Sequence, residues 1–426
     1  MQLKSLDQWL EYIDLVRSTE IDLNLDRIRF IYKKIVKFSS ATKVIVVGGT
    51  NGKGSTVEFL TQLLIFSKRK VGTFTSPHLF KFNERIKING IPISDKMIID
   101  AFELIEKSRG DTRLTFFDFS TLAALTIFSN LNLDVVILEI GLGGRLDPVN
   151  IVDSDISVLT NVELDHQEWL GKNREAIGKE KAAIFRDQKT VILGQHDIPK
   201  SVIEETLRLK NKVFRIGRDF EYTVNDSLEE WSFSWKNGNQ INLDKLQLGS
   251  LSVSSLSCGL SAFFALGNKL DADINEVIER TYLKGRCEII NNRFLIDVSH
   301  NASSAEYLAA FVKRNFSSDV EITAVLGVMK DKDVNSIINP FKKRISKWIL
   351  TSADQKRAMR AEELRIHLEL QCDLNNEAKI FEVEKVNEAC ILAHQETSVG
   401  SLILIFGSFY TVAEAFLTIN ILKSVA

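Results

Sequence analysis

The chain has 426 residues, more than one ordinary hydrophobic core accommodates, so two or three domains are expected. Its 45% hydrophobic and 26% charged residues are ordinary for a soluble globular protein, and a formal net charge of -2 excludes the global positive field of a nucleic-acid or acidic-membrane binder. Five prolines leave little for Pro-rich linkers, and Cys258, Cys287, Cys372 and Cys390 form no Cys-x-x-Cys pair, so neither a zinc knuckle nor a disulfide framework is indicated. The start, Met1-Gln2-Leu3-Lys4-Ser5-Leu6-Asp7, lacks a signal-peptide core. No apolar run approaches the roughly 20 residues that span a bilayer. A cytoplasmic location with reduced thiols is the expectation.

In chain order, Leu3 to Lys37 carries apolar residues at helical spacing (Leu6, Trp9, Leu10, Ile13, then Ile28, Ile31, Tyr32, Ile35). Val44-Ile45-Val46-Val47 reads as a buried strand, followed by a glycine cluster and a helix over Thr56 to Ser67. Further strands are expected at Lys70 to Thr75, Val135 to Leu138 and Ile156 to Val162, with helices at Ser120 to Asn130 and Asn173 to Phe185. Strands alternating with helices predict an α/β fold with a mainly parallel sheet covered on both faces. Phe220 to Val224 and Trp231 to Trp235 alternate apolar and polar residues, and Lys236-Asn237-Gly238-Asn239 supplies a hairpin turn, giving a small antiparallel patch. Leu256 to Leu270 reads as a helix. The alternation then restarts: strands at Phe294 to Ile296, Glu321 to Leu326, Lys347 to Thr351, Lys379 to Val383 and Leu402 to Phe406, with a helix at Ser303 to Asn315. This predicts a smaller C-terminal Rossmann-like α/β domain and a boundary near Arg286, dividing the chain into 1–285 and 286–426.

The glycine cluster, Gly48-Gly49-Thr50-Asn51-Gly52-Lys53-Gly54-Ser55-Thr56, sits between a strand and a helix. Glycines let backbone N–H groups approach a phosphate, and the helix offers its positive end. Lys53 supplies a point charge for the β/γ-phosphates, and Ser55 or Thr56 a hydroxyl. The strict P-loop pattern needs Gly at 47 and Ser or Thr at 54, where this chain has Val47 and Gly54, so the loop is a variant. The competing reading is a glycine-rich turn with an exposed lysine.

Gly49-Thr50-Asn51-Gly52-Lys53-Gly54-Ser55 resembles the ATP loop of the Mur ligase superfamily, in its folylpolyglutamate synthase branch. Matching segments follow in order: Thr75-Ser76-Pro77-His78-Leu79, Asn83-Glu84-Arg85-Ile86, Glu139 to Asp147, Thr160-Asn161, Leu164-Asp165-His166, Gly178 to Phe185, Gly285-Arg286 and Asp297 to Asn301. Glu168-Trp169-Leu170-Gly171 is similar to bifunctional bacterial members, which make dihydrofolate and then extend its glutamate tail. The resemblance implies an ATP-binding central domain followed by a glutamate ligase domain, ATP with two magnesium ions, and the small-molecule substrates dihydropteroate, folates and L-glutamate. It also implies a monomer, with neither nucleic acid nor membrane as partner.

The resemblance further implies roles for single residues. Gly49 to Thr56, Arg286 and Asp297 contact ATP. Ser76 and Glu139 hold one magnesium, and Glu139 and His166 help hold a second; Lys181, as a carbamate, adds an oxygen ligand. Lys53, Lys181, Arg286 and His300 serve catalysis, with His300 one candidate for the base. Phe117 and Phe119, in Phe116-Phe117-Asp118-Phe119, line the pterin side, and His300 and Ser408 face substrate. The residues alone leave plainer readings open: Lys181 paired with Glu180 or Glu175, His166 as a loop histidine, Arg286 as a linker salt bridge, Asp297 or Ser408 as a helix cap, His300 as a turn residue, and each phenylalanine as core. The chain departs from the family where Lys284-Gly285-Arg286 replaces Pro-Gly-Arg and Asp297-Val298-Ser299-His300-Asn301-Ala302 replaces Asp-Gly-Ala-His-Asn-Pro. Cys258-Gly259 stands where an Asn-Ala pair normally contacts adenine. The expected chemistry is an acyl phosphate formed from a folate carboxylate and captured by glutamate, with domain closure excluding water. The alternatives are a peptidoglycan-precursor ligase and a P-loop switch without ligase chemistry.

Overall fold

The computed structural model describes residues 4–16, 24–225, 229–237, 239–271, 273–371 and 378–422. Gly238 of the expected hairpin turn, Leu3 and Cys372 lie outside the described residues. The chain divides into two compact units, residues 1–281 and 282–426.

The first unit is built on an eight-stranded sheet in the order β4-β3-β2-β5-β1-β6-β7-β8. Its strands are β1 (Lys43–Gly48), β2 (Val71–Phe74), β3 (Ile86–Ile88), β4 (Ile91–Pro92), β5 (Val135–Glu139), β6 (Ile156–Leu159), β7 (Thr190–Leu193) and β8 (Lys212–Arg215). From β2 to β8 the pairing is parallel, and β3 and β4 add an antiparallel edge. The central strands are apolar on both faces because helices cover both: Ile45, Val47, Val136, Ile137 and Val158 are all 0% exposed. A three-stranded antiparallel sheet, β9 (Phe220–Val224), β10 (Glu230–Asn237) and β11 (Asn239–Gln247), buries Trp231, Phe233 and Trp235 on one face. Alternation along β10 sends Ser232 and Ser234 to the other face.

The second unit carries a six-stranded sheet, β12-β13-β17-β14-β15-β16. These are β12 (Glu288–Ile290), β13 (Phe294–Ile296), β14 (Ile322–Leu326), β15 (Lys347–Ser352), β16 (Lys379–Lys385) and β17 (Leu402–Phe406). Only β12 runs antiparallel to its neighbour. Trp348, Phe341 and Phe406 anchor a core of its own.

Every strand expected from sequence is present. Sequence reading passed over β7, β8, the β3–β4 edge and the helix Asp95–Arg109. The helix expected over 256–270 spans Val253–Ala265, and the chain leaves it through Gly267, whose φ of 82° suits a residue without a Cβ.

In the first sheet β1 lies between β5 and β6, with Val47 level with Glu139 and Gly48 level with Leu159. The glycine loop after β1, Glu139 at the end of β5 and the segment after β6 therefore emerge together at the carboxyl edge, where open α/β sheets bind ligands.

Candidate active site

The glycine loop is held in shape from the side. Asn161, two residues past β6, accepts the backbone N–H groups of Thr50 (3.1 Å) and Asn51 (2.9 Å) on its side-chain Oδ1. Its own carbonyl accepts from Thr50 N at 3.0 Å. Thr160 Oγ1 donates to the Asn51 carbonyl at 2.7 Å. A Cβ on Gly49 would lie 1.8 Å from that same Thr160 oxygen, so only glycine fits. Gly52, with φ of 80°, caps the helix Lys53–Phe66, and a Cβ there would meet Ser255 Oγ at 2.6 Å. Beyond it the first-turn N–H groups of the helix lack intrahelical carbonyls and face the sheet's ligand edge.

Two lysines converge on this loop. Lys53 Nζ donates to the carbonyls of Gly49 and Thr50, each at 3.1 Å. Lys181, from the helix Arg174–Ala182, donates to the same Gly49 carbonyl at 2.9 Å and is 4% exposed. Burial, and next the charge of Lys53, push the Lys181 ammonium down to about 7, against the attraction of Asp165 and Asp147. The surface ion-pair reading of Lys181 is overturned: Glu180 pairs with Arg145 at 2.9 Å, and Glu175 accepts the amides of Lys200 and Ser201. Close approach of the Lys181 helix requires Gly144, where a Cβ would sit 2.6 Å from the Glu180 carbonyl.

Acidic groups complete the edge. Glu139 is 5% exposed and accepts the Ser76 amide on Oε2 at 3.0 Å, which brings two expected magnesium ligands together. His166, with φ of 50°, opens the short helix Gln167–Leu170, and its Nε2 lies 3.8 Å from Asp165 Oδ2. The segment leading to His166 is tied to the loop through Thr50 Oγ1, which accepts from Glu163 N at 3.0 Å. Among the described residues no three His, Cys, Asp or Glu side chains form a metal cluster; the expected set draws on a serine and a lysine besides Glu139 and His166. A glycine cradle, paired ammonium groups and a buried carboxylate fit a magnesium-nucleotide.

Sequence reading singled out no role for Asn161 or Asp147. Asp147 is buried, accepts the amides of Leu142 (2.8 Å) and Val149 (2.9 Å), and is raised to about 7 by that burial. The signal for Asn161 was its place two residues past β6, the strand that flanks the phosphate-loop strand.

Two expected roles are corrected in this unit. Thr56 is 0% exposed and its hydroxyl donates to the Ser255 carbonyl at 3.2 Å, so it is no phosphate ligand. Phe119 is 1% exposed and lies in the core beside Phe102, with Arg109 over its ring, so its faces are closed to a pterin. Phe117 is only half-buried, packs beside Phe74 with centroids 5.8 Å apart, and stands where a Cβ on Gly141 would come within 2.7 Å.

In the second unit, Arg286 lies over the Phe409 ring at 5.2 Å, and His300 lies 6.0 Å from that ring. His300 Nδ1 is 2.9 Å from the Val298 carbonyl. Asp297 accepts the Cys287 amide (2.8 Å), the Ser299 amide (2.8 Å) and the Ser299 hydroxyl, holding the turn that carries Arg286. Ser408 is 3% exposed and accepts the Thr411 amide at 3.0 Å, the helix-cap geometry.

A phosphate loop with paired lysines, followed by a second α/β unit, defines a nucleotide-binding α/β protein of two units. Residues 47–259 match the Mur ligase middle domain, and residues 285–409 match the Mur ligase glutamate ligase domain. The dihydrofolate synthase/folylpolyglutamate synthase of Escherichia coli is 35% identical over 98% of this chain and 96% of its own. The structure of E. coli FolC in complex with DHPP and ADP aligns with a TM-score of 0.91 at 34% identity, covering 99% of both chains. The bifunctional folylpolyglutamate synthase/dihydrofolate synthase of Yersinia pestis, complexed with AMPPNP and Mn ion, aligns with a TM-score of 0.88 at 31% identity, covering 98% of both chains. The chain belongs to the dihydrofolate synthase/folylpolyglutamate synthase family. That membership separates it from the cell-wall ligase and nucleotide-switch alternatives. No helix among the described residues is long and apolar enough to cross a membrane.

Proposed function

We propose that this chain ligates L-glutamate to dihydropteroate, giving dihydrofolate, and to tetrahydrofolates, extending a polyglutamate tail, each time at the expense of ATP. The convergence of Lys53 and Lys181 on the Gly49 carbonyl, at the sheet edge that also carries Glu139, is the observation that carries this reading.

A carboxylate resists attack by an amine because its charge repels nucleophiles and it has no good leaving group. Phosphoryl transfer from ATP converts it to an acyl phosphate. Lys53 leaves the Gly49 and Thr50 carbonyls to neutralise charge on the β/γ-phosphates, and Arg286 stabilises charge on the transferring group. The glutamate amine then attacks the acyl carbon, and phosphate leaves from the tetrahedral adduct. His300 is one candidate to accept the amine proton, and Phe117 offers a half-buried ring for the pterin. Magnesium bound with ATP supplies charge neutralisation; Ser76, Glu139, His166 and carbamylated Lys181 would hold it in two sites. The carbamate forms when the neutral Lys181 amine adds to carbon dioxide, making an N–C bond and releasing a proton. Residues 1–285 serve as the ATP-binding domain and 286–426 as the glutamate ligase domain of a cytoplasmic monomer whose partners are small molecules.

The test is product formation followed by mass spectrometry, with ATP, magnesium and glutamate, comparing dihydropteroate and tetrahydrofolate as acceptors. Product from both is expected; product from one restricts the chain to that activity, and product from neither defeats the reading. Lys53→Ala reduces turnover by at least about 100-fold, since it removes the charge aimed at the phosphates; near-normal turnover in that variant contradicts this mechanism.

A further inference from the structure

Phosphate-binding loops work through the direction of their backbone N–H groups, and those directions need something to fix them. Here two consecutive amides, Thr50 and Asn51, are taken up by one side-chain oxygen, Asn161 Oδ1, at 3.1 and 2.9 Å. Amides bonded in this way point at Asn161 and not out of the loop. The nucleotide's share of the loop therefore shifts to the amides that follow, at the start of the helix Lys53–Phe66.

The bracing segment is itself held. Val162 N donates to Gln195 Oε1 at 2.8 Å, and Gln195 Nε2 donates to Glu163 Oε1 at 2.5 Å. Arg174 Nε donates to the Val162 carbonyl at 2.8 Å, and its Nη1 to Asp197 at 2.7 Å. Residues 160–163 thus stand between a rigid scaffold and the loop, and the same run leads on to Asp165 and His166.

We propose that Asn161 is a positioning residue for nucleotide binding: it holds residues 49–51 so that Lys53 and the following helix terminus meet the phosphates, and it couples that loop to the His166 segment. The inference rests on the nucleotide-dependent ligase reading. Asn161 acts through the loop, so its loss affects nucleotide and leaves glutamate alone.

The experiment titrates the full-length protein calorimetrically with magnesium and a non-hydrolysable ATP analogue, for wild type and Asn161→Ala, and measures KM for ATP and for glutamate in both. The Asn51 bond is lost outright while Thr50 N keeps the backbone carbonyl of residue 161 at 3.0 Å, and the ordering of the loop then falls on the nucleotide, so affinity for the analogue falls by about 5- to 10-fold. The KM for ATP rises in parallel, and the KM for glutamate stays within about twofold, with the ligand-free melting temperature near that of wild type. Equal affinity in wild type and variant overturns the inference, as does an equal rise in both KM values. If wild type fails to bind the analogue, the ligase reading fails instead. Should Asn161→Ala not fold, Thr50→Val deletes the Thr50 Oγ1 link to Glu163 in a nearly isosteric side chain. A severalfold loss of analogue affinity then supports the brace, and wild-type affinity overturns it.

Discussion

An ammonium held away from water beside a second ammonium loses its proton more easily than one in solvent. Lys181 has both influences, with burial the larger and Lys53 the second, and its pKa falls from 10.5 to about 7. Carbon dioxide reacts only with the neutral amine, so carbamate formation is favoured as pH rises through about 7 and suppressed below it. Enzyme depleted of carbon dioxide at mildly acidic pH is expected to regain activity on adding bicarbonate, faster above pH 7 than below, with intact-protein mass spectrometry reporting one added carbon dioxide that Lys181→Arg lacks. Activation independent of bicarbonate, or an unmodified lysine in active enzyme, contradicts the carbamate. The sequence displayed this lysine but not its environment. A lysine at 181 next to Glu180 reads equally well as a surface pair, and only the fold shows Glu180 turned to Arg145 and Lys181 turned to Gly49. Thr56 and Phe119 miscarried for the same reason: hydroxyl and ring were legible, but which face of each helix enters the core was not.

At the level of elements, apolar runs such as Val44 to Val47 and Leu402 to Phe406 were legible because strands buried on both faces need continuous β-branched and aliphatic residues. β7 and β8 were not: β7 is a three-residue apolar run, Val191 to Leu193, between Thr190 and Gly194, and β8 has only Val213 and Phe214 between Lys212 and Arg215, so neither shows a period. The Cys258-Gly259 departure from the family's Asn-Ala becomes a packing matter at this scale. The helix Val253–Ala265 presses on the helix Lys53–Phe66 and on the end of β7. A Cβ on Gly259 would lie 2.8 Å from Phe59, and one on Gly194 would lie 2.3 Å from Cys258 Sγ and 2.8 Å from the Thr160 carbonyl. Burial raises the Cys258 thiol to about 12, so it stays a neutral apolar filler. Gly194→Ala is expected to destabilise the protein by about 1–3 kcal/mol through overpacking. Cys258→Ala removes one of the two obstructing atoms and leaves the backbone carbonyl, so the double variant should lose less than the sum of the single losses. Strict additivity in denaturant titrations would show that the two side chains do not meet.

The whole molecule divides its chemistry between two cores. The phosphate loop, Lys181, Ser76, Glu139 and His166 all belong to residues 1–281, and Arg286, Asp297, His300 and Ser408 to residues 282–426. A net charge of -2 gives no general attraction for anionic substrates, so the positive field they need is local, from Lys53 in one unit and Arg286 in the other. The first unit has its own extensive apolar core and a complete glycine loop, and on the function proposed above it binds the nucleotide while amide formation also calls on groups of the second. A chain truncated to residues 1–281 is expected to melt cooperatively and to bind a magnesium-complexed ATP analogue, losing at most the share contributed by Arg286 and Asp297. It should form no detectable product with dihydropteroate and glutamate. Isothermal titration and mass spectrometry on the same preparation check both halves. A truncated chain that still made product would place every essential group in the first unit and leave Arg286 and His300 without a part in the reaction. A folded fragment unable to bind the analogue would show that the loop and its brace are insufficient alone, and that the second unit supplies a dominant nucleotide contact.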